Sequence, residues 1–220
     1  MSVTIHDEGL AIQELVVFIR NSDIFSTTVR GVTTTTQEFN GTGSETEFTV
    51  SNLTIKNVRA VTVGGTAQTF GTDYLVDYST GVITFTTAPA SGTNNVDITY
   101  DYGTDRIYPE QARLDLKLVS YPRIAISTTS ISIEDGATDG NINYTDYLFS
   151  FYAYADKTES VRNYIKLIKK AILNNKKNFY YLRYITPISA TGIIQEPNRQ
   201  DKIVTKVLEC RAPLNEEIIT

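Results

Sequence analysis

The sequence predicts an α+β fold in which a mixed or antiparallel sheet packs against helices, with an all-β, sandwich-like domain inserted into it. Two stretches carry that prediction. Between Tyr147 and Ile172 an alternating strand, with Phe149, Phe151, Ala153 and Ala155 on one face, passes into a helical stripe of Val161, Tyr164, Ile165, Ile168, Ala171 and Ile172. A period of two giving way to one of 3.6 is the pattern of a strand followed by the helix that covers it. Between Phe39 and Gly103 no helix-like window occurs, and glycine and threonine punctuate short alternating runs, as a small antiparallel sandwich or barrel requires.

In chain order, Leu10 opens a short amphipathic helix with Ile12, Leu15, Val16 and Ile19 on one side and a stop near Asn21 and Ser22. Phe25 to Thr36 is rich in threonine and valine, which favours an extended chain, with Gly31 permitting a bulge. Runs at 45–50, 58–63, 73–79, 81–87 and 95–102 then predict strands, and Gly64-Gly65 and Ser79-Thr80-Gly81 stand where hairpin turns are needed. In the last run Val96, Ile98, Tyr100 and Tyr102 share one face and Asp97, Thr99 and Asp101 the other. Both ends of this region are flanked by glycine, and a unit whose termini lie close together can be looped out of a host. The domains read as a discontinuous host, 1–36 and 104–220, and an insert, 37–103.

The host resumes with Ala112, Leu114, Leu116 and Leu118 in alternation before Pro122, and with Arg123 to Glu134 as a strand or bent hairpin. The acidic, glycine-rich loop 135–141 lacks the ligand spacing and closing glutamate of a calcium loop, so it reads as a solvent loop. Asp156 and Thr158 are candidate N-caps for a helix over 159–174. Phe179 to Ile185 reads as a strand either covered on both faces or exposed at an interface. Pro187 and Gly192 break the chain, and Ile203 to Cys210 reads as a strand covered on two sides. For the tail from Pro213 to Thr220, disorder and ordering by another subunit are both open.

Charge narrows the function classes. The net charge of -5 does not suit a general nucleic-acid binder. It is unevenly spread: residues 1–156 carry 8 basic and 19 acidic side chains, and 157–177 carry 7 basic and one acidic. The helix is therefore a basic stripe on an acidic molecule. The plainest reading is a solvated helix face; contact with an acidic neighbouring subunit or with nucleic acid are the alternatives.

One cysteine, Cys210, and one histidine, His6, leave no internal disulfide, no thiolate cluster and no histidine-rich metal site within the chain. The sequence predicts no catalytic residues, no metal and no cofactor, hence no enzyme. No phosphate-binding or dinucleotide glycine motif occurs. Asp73, Asp77, Asp97 and Asp101 read as solvated carboxylates on the outer face of the insert. Tyr152, Tyr154, Tyr180 and Tyr184 could stack bases, but no basic groove accompanies them in the strands, and core or subunit interface is the better reading. Neither a signal peptide nor a membrane span is predicted.

The host pieces, taken as an N-terminal helix, YPRIAIS at 121–127, YLFSFYAYA at 147–155 and VRNYIKLIKKAI at 161–172, resemble the tail terminator, or tail completion, proteins of long-tailed bacteriophages. The insert, most sharply from Gly71-Thr72-Asp73-Tyr74 through Pro89 to Tyr100, resembles a small β-domain that recurs in phage tail and virion proteins. The terminator resemblance implies a ring, expected to be a hexamer, at the head-proximal end of the virion tail and assembled in the host cytoplasm. Its partners would be itself, the tail tube protein and a head-completion or neck protein, with genomic DNA passing through the lumen without sequence-specific binding. The expected subunit or tube interface takes in Tyr152, Tyr154, Arg162, Lys166, Lys169, Lys170, Tyr180 and Tyr184. A head-proximal neck or adaptor ring, or another tail or baseplate component, is the alternative. The 67 residues of the insert depart from the terminator pattern.

Overall fold

The structure, a computed structural model, describes residues 2–5, 8–109, 122–135, 143–195, 203–213 and 216–219. His6, the alternating segment 112–118 and most of the loop 135–141 lie outside these residues. In chain order the elements begin with β1 (Ser2–Ile5), α1 (Glu8–Asn21), α2 (Thr27–Arg30) and β2 (Val32–Gly41). Then come β3 (Glu47–Thr49), β4 (Ile55–Val63), β5 (Thr66–Ala67), β6 (Tyr74–Asp77), β7 (Val82–Phe85) and β8 (Gly92–Gly103). After β9 (Ile107–Pro109), β10 (Arg123–Asp135) and β11 (Asn143–Ala155) the chain forms α3 (Thr158–Asn174). It ends with β12 (Thr186–Ala190), β13 (Ile194–Gln195), β14 (Val204–Pro213) and β15 (Glu216–Ile219). The fold is α+β, with antiparallel sheets packed against helices and a separate β-rich region.

Two compact units result: Met1–Ile24 with Arg106–Thr220, and Phe25–Asp105. The first is built on a six-stranded sheet in the order β12-β14-β11-β10-β9, with β13 also on β14. Helix α1 packs on β9 and β10, and α3 on β11, β14 and β12. The predicted periodicities place the core: Leu15, Val16 and Ile19 from α1, Val161, Ile165, Ile168 and Ile172 from α3, and Phe149 and Phe151 from β11 are all buried. Only the parallel pairing of β9 with β10 departs from antiparallel order in this sheet. The tail, left open by the sequence, runs antiparallel to the N-terminal strand, Ser2 opposite Ile219.

The second unit is a sandwich. A four-stranded sheet, β2-β8-β4-β5, faces a three-stranded one, β3-β7-β6, and Phe48, Ile83, Phe85 and Tyr74 from one meet Val58, Val61, Ile98 and Tyr100 from the other. Tyr100 is fully buried, and its hydroxyl donates to Gln37 Oε1 at 3.3 Å and accepts from Asn52 Nδ2 at 3.0 Å, as a buried phenol needs. Gly64 and Gly65, at φ 56° and 78°, form the two-residue turn from β4 to β5, a conformation that side chains disfavour at both places.

Several local expectations are corrected. Phe25 to Thr36 is not extended throughout. Ser26 accepts from Val29 N at 3.3 Å and caps α2, and Gly31, at φ 72°, ends that helix instead of making a bulge. Strand β2 then runs unbroken through the boundary expected at 36/37, paired with β8 from Val32 opposite Gly103 onward. The division between units therefore falls at Phe25 and Asp105. The N-cap of α3 is Lys157, without a side-chain hydrogen bond, not Asp156 or Thr158. Pro187 lies inside β12, at an irregularity in its register with β14, where an edge strand tolerates a missing donor.

Asp101 is the largest departure. It is not a solvated carboxylate but fully buried, accepting from Arg59 Nε at 2.8 Å, Thr34 Oγ1 at 2.6 Å and Arg30 Nη1 at 3.3 Å. Arg30, itself buried, also reaches both oxygens of Asp105, at 3.1 and 3.0 Å. The first and last turns of the unit are thus joined by one cation between two carboxylates.

Candidate functional site

Helix α3 lays its apolar side on the sheet and turns Arg162, Lys166, Lys169 and Lys170 to solvent. Lys166 and Lys170 are one turn apart, and Leu173, 42% exposed, continues their stripe. The segment after the helix is not the strand its aromatic run predicts. Its buried side chains are Phe179, Leu182 and Ile185, three residues apart, a spacing no strand can bury on one face. Its backbone donors are also committed elsewhere. Tyr180 N and Tyr181 N both donate to the Glu14 carboxylate, Arg183 N donates to Pro213 O at 3.0 Å and Ile185 N to Lys176 O at 3.0 Å.

Glu14 is half-buried on α1, and desolvation raises its pKa even though the two backbone N–H groups act to lower it. With the Phe18–Phe179 edge contact, at 5.0 Å between centroids, it holds this segment against α1. The pinned loop presents Tyr180 and Tyr184, 42% and 41% exposed. Strands β12 and β13 follow along the same edge of β14 and expose Ile188 and Ile194. The stretch from α3 to β13 therefore exposes a cationic helix face, five large apolar side chains and a sheet edge, the last being a ready template for another chain.

Of the eight residues expected at an interface, Arg162, Lys166, Lys169, Lys170, Tyr180 and Tyr184 belong to this helix and the loop after it. Tyr152 and Tyr154 do not join them. They alternate with Phe149 and Phe151, so they project from the other side of β11, opposite the helix that brings Lys169 near Cys210. Tyr154 is buried in a small core with Ala125 and Ile203 and stacks on Tyr152 at 6.2 Å. Leu173, Ile188 and Ile194 were not legible as site residues; the available signals were an apolar residue in line with Lys166 and Lys170 on α3, and isoleucines in the short segment between Pro187 and Gln195.

On the sandwich unit, the outer face of the three-stranded sheet aligns Leu75 with Thr84 and Glu47, and Asp77 with Val82 and Thr49. Leu75 is 46% exposed, and Leu53, 60% exposed, lies against the turn at Gly81. The Ser79 hydroxyl, Thr80 and the Ser79 backbone N–H hold the exposed Asp77 carboxyl down to about 2.

Among the described residues, no group of three or more His, Cys, Asp or Glu is arranged to hold a metal, and no helix is long and apolar enough to cross a membrane. No protein-family model and no curated protein sequence matches this chain.

Proposed function

We propose that this chain is a structural subunit of a bacteriophage tail, forming a ring that caps the tail tube, ends its polymerisation and provides the surface for head attachment. The observation that carries the reading is the stretch from α3 to β13, which exposes Leu173, Tyr180, Tyr184, Ile188 and Ile194 and turns the lysines of α3 to solvent. Such a surface suits burial against protein, and tyrosine on a pinned loop loses little entropy when covered. The resemblance of the host elements to tail terminators supplies the ring, its place at the head-proximal end of the tail, and the tube and neck proteins as partners.

Capping is a matter of surfaces. One face complements the last tube ring and the other does not repeat it, so growth stops. Heterologous contacts that close on themselves make the ring finite. The purified chain added to polymerising tube subunits should shorten the tubes and sit at one end in electron micrographs, and Ile188→Arg should abolish this. Tubes of unchanged length and bare ends would overturn the proposal.

A further inference from the structure

Two exposed faces of this chain carry apolar side chains beside charges of opposite sign. The α3 face presents Lys166 and Lys170 with Leu173, and Tyr180 and Tyr184 follow it on the pinned loop. The outer face of β3-β7-β6 presents Leu75 and Asp77 from the edge strand β6, Val82 and Thr84 from the central strand β7, and Glu47 and Thr49 from the other edge, β3. Both mix exposed apolar and charged side chains, as protein–protein contacts do. Charge is also opposite around the two faces: the segment 157–177, which contains α3, holds 7 basic side chains and one acidic within a unit that is otherwise acidic, whereas Phe25–Asp105 holds three basic and eight acidic. Two of the three cations in that unit, Arg30 and Arg59, are already engaged by Asp101, so they do not offset the outer carboxylates. Asp77, held down to about 2, stays ionised at any pH at which the protein would assemble.

We infer that the outer face of the three-stranded sheet in one copy docks on the basic face of α3 in the next, so that the insert is itself an assembly element joining neighbouring subunits. The contact uses different surfaces on the two partners, so it is heterologous and propagates head to tail until it closes. The occupant of each face is a second copy of this chain. For α3, nucleic acid would satisfy the lysines, and its bases could stack on the tyrosines, but it would leave Leu173 without an apolar partner. This inference rests on the ring reading and adds to it which surfaces meet and what the insert does.

The test uses the full chain and its assembly constant, measured by sedimentation. Glu47→Lys with Asp77→Lys, and separately Lys166→Glu with Lys170→Glu, should each weaken assembly about a hundredfold or more, because like charges facing across an interface are strongly unfavourable. All four positions are exposed; Asp77→Lys also gives up the bonds from Ser79 and Thr80, so cooperative thermal unfolding of each variant, not an unchanged midpoint, checks that the fold is intact. Mixing the two variants one to one should restore assembly, since every contact is then again between opposite signs. Rescue in the mixture requires the contact to be intermolecular. Raising the salt concentration should weaken the wild-type assembly.

Assembly that survives both reversals, or reversals that the mixture does not rescue, would overturn the docking contact while leaving a ring in place. A wild-type chain that stays monomeric would sink the contact and the ring reading together. DNA binding by the α3 face, lost in the Lys166→Glu, Lys170→Glu variant with assembly unaffected, would assign that face to nucleic acid instead.

Discussion

Arg30→Met in the excised unit 25–105 isolates the buried charge cluster, since that unit contains its own core and both ends of the network. Removing one partner from a buried ion pair costs about 3–5 kcal/mol, because the remaining charge is stranded. Here Asp101 keeps Arg59 and Thr34, whereas Asp105 loses the two-pronged contact at 3.0 and 3.1 Å. The expectation is therefore the low end, about 3 kcal/mol, against a total of about 4–12 kcal/mol for a unit of this length. With a urea slope of about 1–1.5 kcal/mol per molar, the midpoint should fall by roughly 2–3 M.

The pH dependence has a definite sign. Burial raises the Asp101 pKa, but hydrogen bonds from Arg59 and Thr34 and the charges of Arg59 and Arg30 outweigh it and hold the carboxyl below its ordinary range. Its contribution is present above the unfolded pKa and is lost as pH falls through the folded one. The share of the Arg30→Met penalty that comes from Asp101 should shrink over that same acid range, where its protonated carboxyl no longer needs a cation. A midpoint shift equivalent to less than about 1 kcal/mol, the value of an ordinary surface pair, would mean that Arg30 is not holding a buried charge in place.

Three further outcomes are expected. Phe151→Ala, at a fully buried position in β11, should cost about 3–5 kcal/mol in chemical denaturation of the full chain. Glu14→Ala should free the Tyr180–Tyr181 turn and cost about 1–2 kcal/mol, since both donors can partly reach water. In the wild type, the raised Glu14 pKa means that its contribution is complete below the unfolded pKa and is lost as pH rises through the folded one, a dependence Glu14→Ala should remove. Cys210, whose thiol is pushed up to about 12 by burial, should react with a thiol reagent only as fast as the protein opens, and rapidly in denaturant.

What the sequence made legible follows from which interactions are local. The strand-to-helix switch at 147–172 and the α1 stripe are written in period, because one face of each is buried and the other is wet. The sandwich strands were equally clear, since their inner residues alternate and glycines mark their turns. The interaction between Arg30 and the pair Asp101 and Asp105 was not, because its partners stand 71 and 75 residues apart and an alternating aspartate looks the same whether its outer face is bare or covered. The loop 179–185 misled for a similar reason. Its aromatic content suggests a strand, but Glu14, 166 residues away, takes the backbone donors that a strand would need. At the candidate interface, the lysines and tyrosines were visible as residue types, whereas the separation of Tyr152 and Tyr154 from α3 by the sheet depends on which face the helix covers.

Whether the purified full chain closes into a ring is read from its mass in solution and its symmetry in electron micrographs. A closed ring of identical subunits, six in number, is the predicted result; a monomer at every concentration, or an open filament that never closes, would contradict it.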